Sequence, residues 1–251
     1  MRTFELTTRV KSVSRGKGQS AVAAAAYRAG ADLRCDRTGV THRYGRRRGV
    51  VEADILVPVG NPTPSREALW NASEAAERRK NSRVAREWLF SLPVELSPER
   101  RRAAVRRVAA HLVARHGVAV DYAIHAPVGG SDPRNHHAHL LLTTRRMEGG
   151  QLTDKTRELD DKATGAELVK DWRRITAEIL NAEIAKEAAA TVQVEHRSFA
   201  DRGIERVPGR HRGLWKRRVW QGSLGDVFRR VARVTKCAVI HCGAMSRPAE
   251  L

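Results

Sequence analysis

Three histidines fall within four positions, His136, His137 and His139, at the head of the stretch HHAHLLLTTR. The Leu and Thr run behind them reads as a strand, and side chains alternate faces along a strand. His137 and His139 therefore share one face, and His136 takes the other. A second apolar stretch, VAVDYAIH, ends at His125. The loop between the two, residues 127–134, is too short for a parallel crossover, so the pair is antiparallel. That places His125 roughly opposite His137. Three imidazoles converging on one face suit a divalent cation, and three protein ligands leave positions open for a substrate. His136, facing away, reads as an ordinary surface residue.

A second chemical candidate is Tyr27, in AVAAAAYRAG. Ser20 is placed to cap this helix, and the alanines give it high propensity. Small neighbours leave room for a partner to approach the phenol. A phenol with a pKa of about 10 is a weak nucleophile unless a base or a metal assists it. A metal-held phosphodiester would supply the electrophile. Arg15 and Lys17 precede the helix, Arg28 adjoins the tyrosine, and Arg145 follows the histidine strand; these four are the candidate DNA contacts. Glu87 enters the apolar strand REWLFSLP. It could accept the phenolic proton or form an ion pair with Arg83 or Arg86, and the sequence leaves both open. Glu52 and Asp54 are weaker competitors, and Tyr44 and Tyr122 read as structural or DNA-facing.

The elements that must position these groups alternate along the chain. Strands are expected at 4–10, 50–60, 86–96, 118–125 and 136–144, and helices at 21–33, 64–85, 97–117 and 167–188. A basic, turn-rich segment lies between the tyrosine helix and residue 50. From about residue 191 the sequence reads as irregular, with a short helix at 224–236. The fold class is α+β: an antiparallel sheet with flanking helices. Among 251 residues, 47 Lys and Arg stand against 28 Asp and Glu, for a net charge of +19. A GC-rich genome accounts for part of the arginine, but not for the excess over acids, which points to a polyanion such as nucleic acid. The three cysteines, Cys35, Cys237 and Cys242, form no disulfide pattern, so a cytoplasmic location is expected. Cys237, His241 and Cys242 are a weak zinc signal and read as ordinary residues of a tail. No signal peptide opens the chain and no apolar run suits a membrane span, so no membrane insertion is expected.

A histidine triad on an antiparallel sheet with a nucleophilic tyrosine resembles the HUH single-strand endonucleases. SRGKGQSAVAAAAYRAG, AREWLFSLP, YAIHAP followed by RNHHAHLLLTTR, DWRRITAEILN and VEHRSFADRGIE resemble, in order, the relaxase domain of the MobA/MobL family, in particular TraA-type plasmid relaxases. The likeness runs from residue 13 to about 213, so a relaxase domain is expected at 1–213 and a basic tail at 214–251. The resemblance implies Tyr27 as nucleophile, His125, His137 and His139 as ligands of Mg²⁺ or Mn²⁺, and Glu87 as an acid near the nucleophile. It implies nicking and rejoining of single-stranded origin-of-transfer DNA through a 5′-phosphotyrosine. Origin DNA, single-stranded and duplex, relaxosome accessory proteins and a type IV coupling protein are the implied partners. Two departures stand out. TraA-type chains continue into a helicase, and no G-x-x-x-x-G-K-[ST] occurs here; Pro208 and His211 follow the HRS motif in more basic surroundings. Alternatives are a rolling-circle replication initiator, disfavoured because the tyrosine precedes the histidine hairpin, and a catalytically inactive DNA-binding remnant.

Overall fold

The computed structural model describes residues 2–130, 132–187 and 191–206. Met1–Arg197 form one compact unit, and a second begins at Ser198. The expected boundary at residue 213, the helix at 224–236, Pro208, His211 and the Cys237, His241, Cys242 group lie outside the described residues.

The first unit is built on an antiparallel sheet in the order β2-β6-β8-β7-β5. Its strands are β2 (Thr8–Ser14), β5 (Val50–Leu56), β6 (Arg83–Leu92), β7 (Val118–His125) and β8 (His136–Glu148). A hairpin strand, β9 (Gln151–Lys155), folds back on the end of β8. The α+β expectation, an antiparallel sheet with flanking helices, is borne out.

Alternation along the strands divides the core in two. Trp88, Phe90 and Leu92 of β6, with Tyr122, Ile124, Leu140 and Leu142, pack against α3 (Pro98–His116) and α4 (Lys162–Ile184). The opposite face packs Ala85, Ala119 and Leu141 against α1 (Ala21–Ala29) and α2 (Arg66–Ala75). Odd-numbered residues of β8 thus face α1, and the tyrosine helix and the histidine pair meet on one side of the sheet.

Helix α1 is fixed at both ends. Ser20 Oγ accepts from the Ala23 N–H, and Glu74 Oε1 of α2 accepts from the Ala21 N–H at 2.7 Å. A carboxylate suits the positive end of the helix dipole. Gly30, at φ 63°, ends the helix in the left-handed conformation that only glycine adopts without strain.

Several expected boundaries move. The helix expected over 64–85 is α2, and it stops at Ala75. Arg15 donates to the carbonyls of Glu74 and Glu77, drawing the helix end into a turn before β6. The strand expected at 4–10 is two strands, β1 (Arg2–Glu5) and β2. The basic stretch after α1 contains a small ribbon, β3 (Asp32–Arg34) with β4 (Thr41–Arg43). The segment read as irregular holds β10 (Val192–Glu195), which pairs in parallel with β1. In the second unit, Ala200–Arg202 form one helical turn, Ser198 Oγ donates to Asp201 at 2.8 Å, and Arg202 and Arg206 lie over the Phe199 ring.

Candidate active site

His125 ends β7 directly opposite His137 of β8, and His139 pairs with Ala123. The three imidazole centroids lie 4.6–5.2 Å apart. One ring nitrogen from each, taken together, lie within 4.8 Å of one another. His136 points to the other face, with Arg101 Nη1 3.2 Å from its Nδ1.

Each ring is held from behind by a group that can only accept. His125 Nε2 lies 2.7 Å from the Arg28 carbonyl, His137 Nδ1 lies 3.0 Å from the Asn135 carbonyl, and His139 Nδ1 lies 2.6 Å from Glu87 Oε1. Those nitrogens must carry the protons. A neutral ring then keeps a lone pair on Nδ1 of His125 and on Nε2 of His137 and His139. Burial pushes His125 down to about 3 and holds His137 and His139 below the ordinary histidine value. Three neutral imidazoles, each oriented by an outer hydrogen bond, fit a divalent cation.

Glu87 is fully buried on β6. Burial would raise its pKa, but hydrogen bonds from His139 and from Arg28 outweigh this and hold the carboxyl well below the usual range. Arg28 Nε reaches Oε1 at 2.7 Å, and Lys11 Nζ lies 3.7 Å from Oε2. The arginines that the sequence offered as partners go elsewhere: Arg83 and Arg86 both pair with Asp160. Glu52 and Asp54 are also engaged, Glu52 with the Tyr122 hydroxyl and Arg102, and Asp54 with Arg106.

Tyr27 lies near the C-terminal end of α1 and is 46% exposed. Its ring meets Tyr44 edge-on, with centroids 5.3 Å apart, and the Arg47 guanidinium lies 3.7 Å from its ring centroid. Arg28, the next residue, ties this helix to the triad twice: its carbonyl takes the His125 N–H, and its side chain pairs with the carboxylate that holds His139.

Residues 19–221 match the MobA/MobL family. The chain belongs to that family. Among curated relatives, mobilization protein MobL of Acidithiobacillus ferridurans is 37% identical over 229 residues, covering 81% of this chain and 60% of the relative. Conjugal transfer protein TraA of Rhizobium radiobacter is 32% identical over 155 residues, covering 57% of this chain and 14% of the relative. The chain thus spans less than two thirds of these relatives' lengths. A solved structure describing the molecular basis of vancomycin resistance transfer in Staphylococcus aureus superposes with a TM-score of 0.67 at 28% identity, covering 78% of this chain and all of that one. The resemblance read from the motifs is borne out.

Within this MobA/MobL chain the four candidate DNA contacts divide. Arg15 is engaged with Glu74 and the Glu77 carbonyl, and Arg145 with Glu77 and the carbonyls of Thr153 and Ala76. Arg28 serves the triad. Lys17 alone of the four is exposed with no ion pair among the described residues. Arg47, whose guanidinium lies against the Tyr27 ring, is not singled out by the sequence. Its segment shows no periodicity, and only the β3–β4 ribbon brings it back to Tyr27.

The buried histidines of the MobA/MobL chain give metal-free stability a pH dependence. His116, on the other face of the sheet, accepts from Trp172 Nε1 at 3.1 Å, and burial pushes it down to about 4. In the unfolded chain these rings titrate near a pKa of about 6.5. As pH falls below that value the unfolded state binds protons that the native state refuses, so stability falls. The loss is complete only once pH has passed the native values, about 4 for His116 and about 3 for His125. Denaturant unfolding of the chelator-treated protein should show the decline between about pH 7 and 5; a flat profile there contradicts these shifts. No helix among the described residues is long and apolar enough to cross a membrane.

Proposed function

We propose that the chain is a plasmid-mobilisation relaxase that nicks and rejoins single-stranded origin-of-transfer DNA through Tyr27. The observation that carries this reading is the double tie through Arg28, which joins the tyrosine helix to His125 and, through Glu87, to His139. A nucleophile and a cation-binding triad are thereby locked to one another, which is what positioning for phosphoryl transfer requires. Membership of the MobA/MobL family supports it.

In the reaction, the Tyr27 oxygen attacks the scissile phosphorus as the bond to the 3′ oxygen breaks. The products are a 5′-phosphotyrosine and a free 3′-hydroxyl, and in the balance the phenolic proton becomes that of the new hydroxyl. The phosphotyrosine keeps the bond energy, so the reverse step rejoins the strand without ATP. His125, His137 and His139 would hold Mg²⁺ or Mn²⁺, which supplies Lewis-acid polarisation of the phosphate when bound. Glu87 fixes the His139 ring and keeps its outer proton in place, and its low pKa makes it a weak general base. The setting is the cytoplasm, alongside accessory and coupling proteins of a transfer apparatus.

The test is incubation of the protein with a labelled single-stranded oligonucleotide from the transfer origin of the replicon that encodes it, with Mn²⁺ or Mg²⁺. A covalent protein–DNA band that survives denaturation is expected; noncovalent binding alone contradicts the reading. The charge of +19 adds a further expectation. Each phosphate neutralised on a single strand contributes about −0.7 to the slope of log K against log salt, so contact with several phosphates gives roughly −3 or steeper. Affinity titrations at several salt concentrations measure it; a slope near zero contradicts a phosphate-tracking surface.

A further inference from the structure

Arg47 is a half-buried cation without a carboxylate. Among the described residues it forms no ion pair, whereas Arg28 and Lys11, the other cations near the triad, both face Glu87. One end of its guanidinium is used: Nη1 donates to the Tyr27 carbonyl while the group lies against the Tyr27 ring. The guanidinium lies 3.7 Å from the Tyr27 ring centroid, and Gly49, two residues on, is bonded to Ala126, the residue that follows His125 of the triad. A partly desolvated, uncompensated charge is costly unless an anion joins it.

The segment that carries Arg47 is built to hold it there. The Gly45 N–H donates to Asp32 Oδ1 at 2.7 Å, and the Arg47 N–H donates to the Tyr44 carbonyl at 2.9 Å. The Gly49 carbonyl accepts from the Ala126 N–H at 2.8 Å, one residue past His125. Gly49 sits at φ 88°, and a Cβ there would lie 2.6 Å from Val128 Cγ1, so no other residue fits without a shift. The segment is pinned to the tyrosine side at one end and to the histidine strand at the other.

We propose that Arg47 is a catalytic residue that binds a non-bridging oxygen of the scissile phosphate and holds the phosphodiester facing Tyr27. This rests on the reading of Tyr27 as the nucleophile. In-line attack places charge on the phosphate oxygens, and a guanidinium fork can meet an oxygen that a cation on the triad does not. The fork binds the substrate anion and leaves the proton inventory of the reaction unchanged.

The experiment uses the full chain, with the nick first mapped on the origin oligonucleotide by wild type. Arg47→Ala and Arg47→Lys are compared with wild type for DNA affinity by fluorescence anisotropy and for single-turnover adduct formation. Arg47→Ala is expected to slow adduct formation by about 10²–10³-fold, as for loss of one preorganised donor to a transition-state oxygen, while affinity stays within about tenfold. A methylphosphonate at the nick, which removes the charge from a non-bridging oxygen, separates a phosphate role from a structural one. On it, the gap between wild type and Arg47→Ala should shrink to within a few-fold. A gap of undiminished size on the methylphosphonate, or an Arg47→Ala rate within a few-fold of wild type on native DNA, overturns the proposal. Should Arg47→Ala fail to fold, Arg47→Lys carries the test, since it keeps the charge and loses the fork. A tenfold or greater loss of rate on native DNA with a reduced gap on the methylphosphonate then supports the role, and full activity overturns it. Wild type that makes no adduct overturns both this inference and the relaxase reading; active wild type with an unaffected variant overturns this inference alone.

Discussion

Tyr27→Phe is expected to bind single-stranded origin DNA within about twofold of wild type and to form no covalent adduct. The substitution removes one oxygen and keeps the ring that packs on Tyr44 and under Arg47. Binding rests on phosphate contacts and base stacking, which the phenolic oxygen does not supply. The other tyrosines are differently placed. Tyr122 is fully buried on the α3 face, donates to Glu52 at 2.9 Å and is pushed up to about 12, first by burial and then by Glu52. Tyr44 lies edge-on to Tyr27, which makes it the nearest competitor. Gel analysis of both proteins with labelled DNA and Mn²⁺ measures the effect. An adduct of wild-type yield in Tyr27→Phe removes Tyr27 from the reaction.

The second large effect is on metal binding. His139→Ala or His137→Ala should lose tight divalent-ion binding and, with it, cleavage, because two imidazoles compete poorly with water for a hard cation. Glu87→Gln keeps shape and removes the charge that orients His139, so a loss of about 10–100-fold in affinity is expected. His136→Ala, on the opposite face with Arg101, should leave affinity unchanged. Isothermal calorimetry with Mn²⁺ on the four variants separates these ranks. Wild-type affinity in His139→Ala would eliminate the triad as the cation site. Wild-type affinity in Glu87→Gln combined with slow cleavage would return Glu87 to the proton-acceptor role that its place in the sequence allowed.

The parts of the site legible in the sequence were those that depend on local geometry. Strand alternation separates His136 from His137 and His139, and a short loop forces the hairpin that brings His125 across. The alanine run behind Ser20 specifies the tyrosine helix without reference to the rest of the chain. What could not be read depends on which charge meets which. Arg15, Arg28 and Arg145 look like phosphate contacts when written in a line, yet each is engaged with the fold's own carboxylates and carbonyls. Glu87 offers no sign that its partners come from α1 and β8 rather than from its own strand. Arg47 sits in a polar stretch whose two short strands, β3 and β4, carry too few apolar residues to show a period. The β1–β10 pair is hidden for another reason: its four-residue strands are joined from opposite ends of the unit, beyond the reach of a local pattern.

If Tyr27, held to the histidine triad through Arg28, takes the DNA strand, the covalent attachment maps to that residue. Proteolysis of the wild-type adduct followed by mass spectrometry tests it most directly. A nucleotide-bearing peptide containing Tyr27 is expected, with fragmentation placing the phosphate on that residue and the DNA released with a free 3′-hydroxyl. A phosphate mapped to Tyr44, Tyr122 or a histidine of the triad would contradict it.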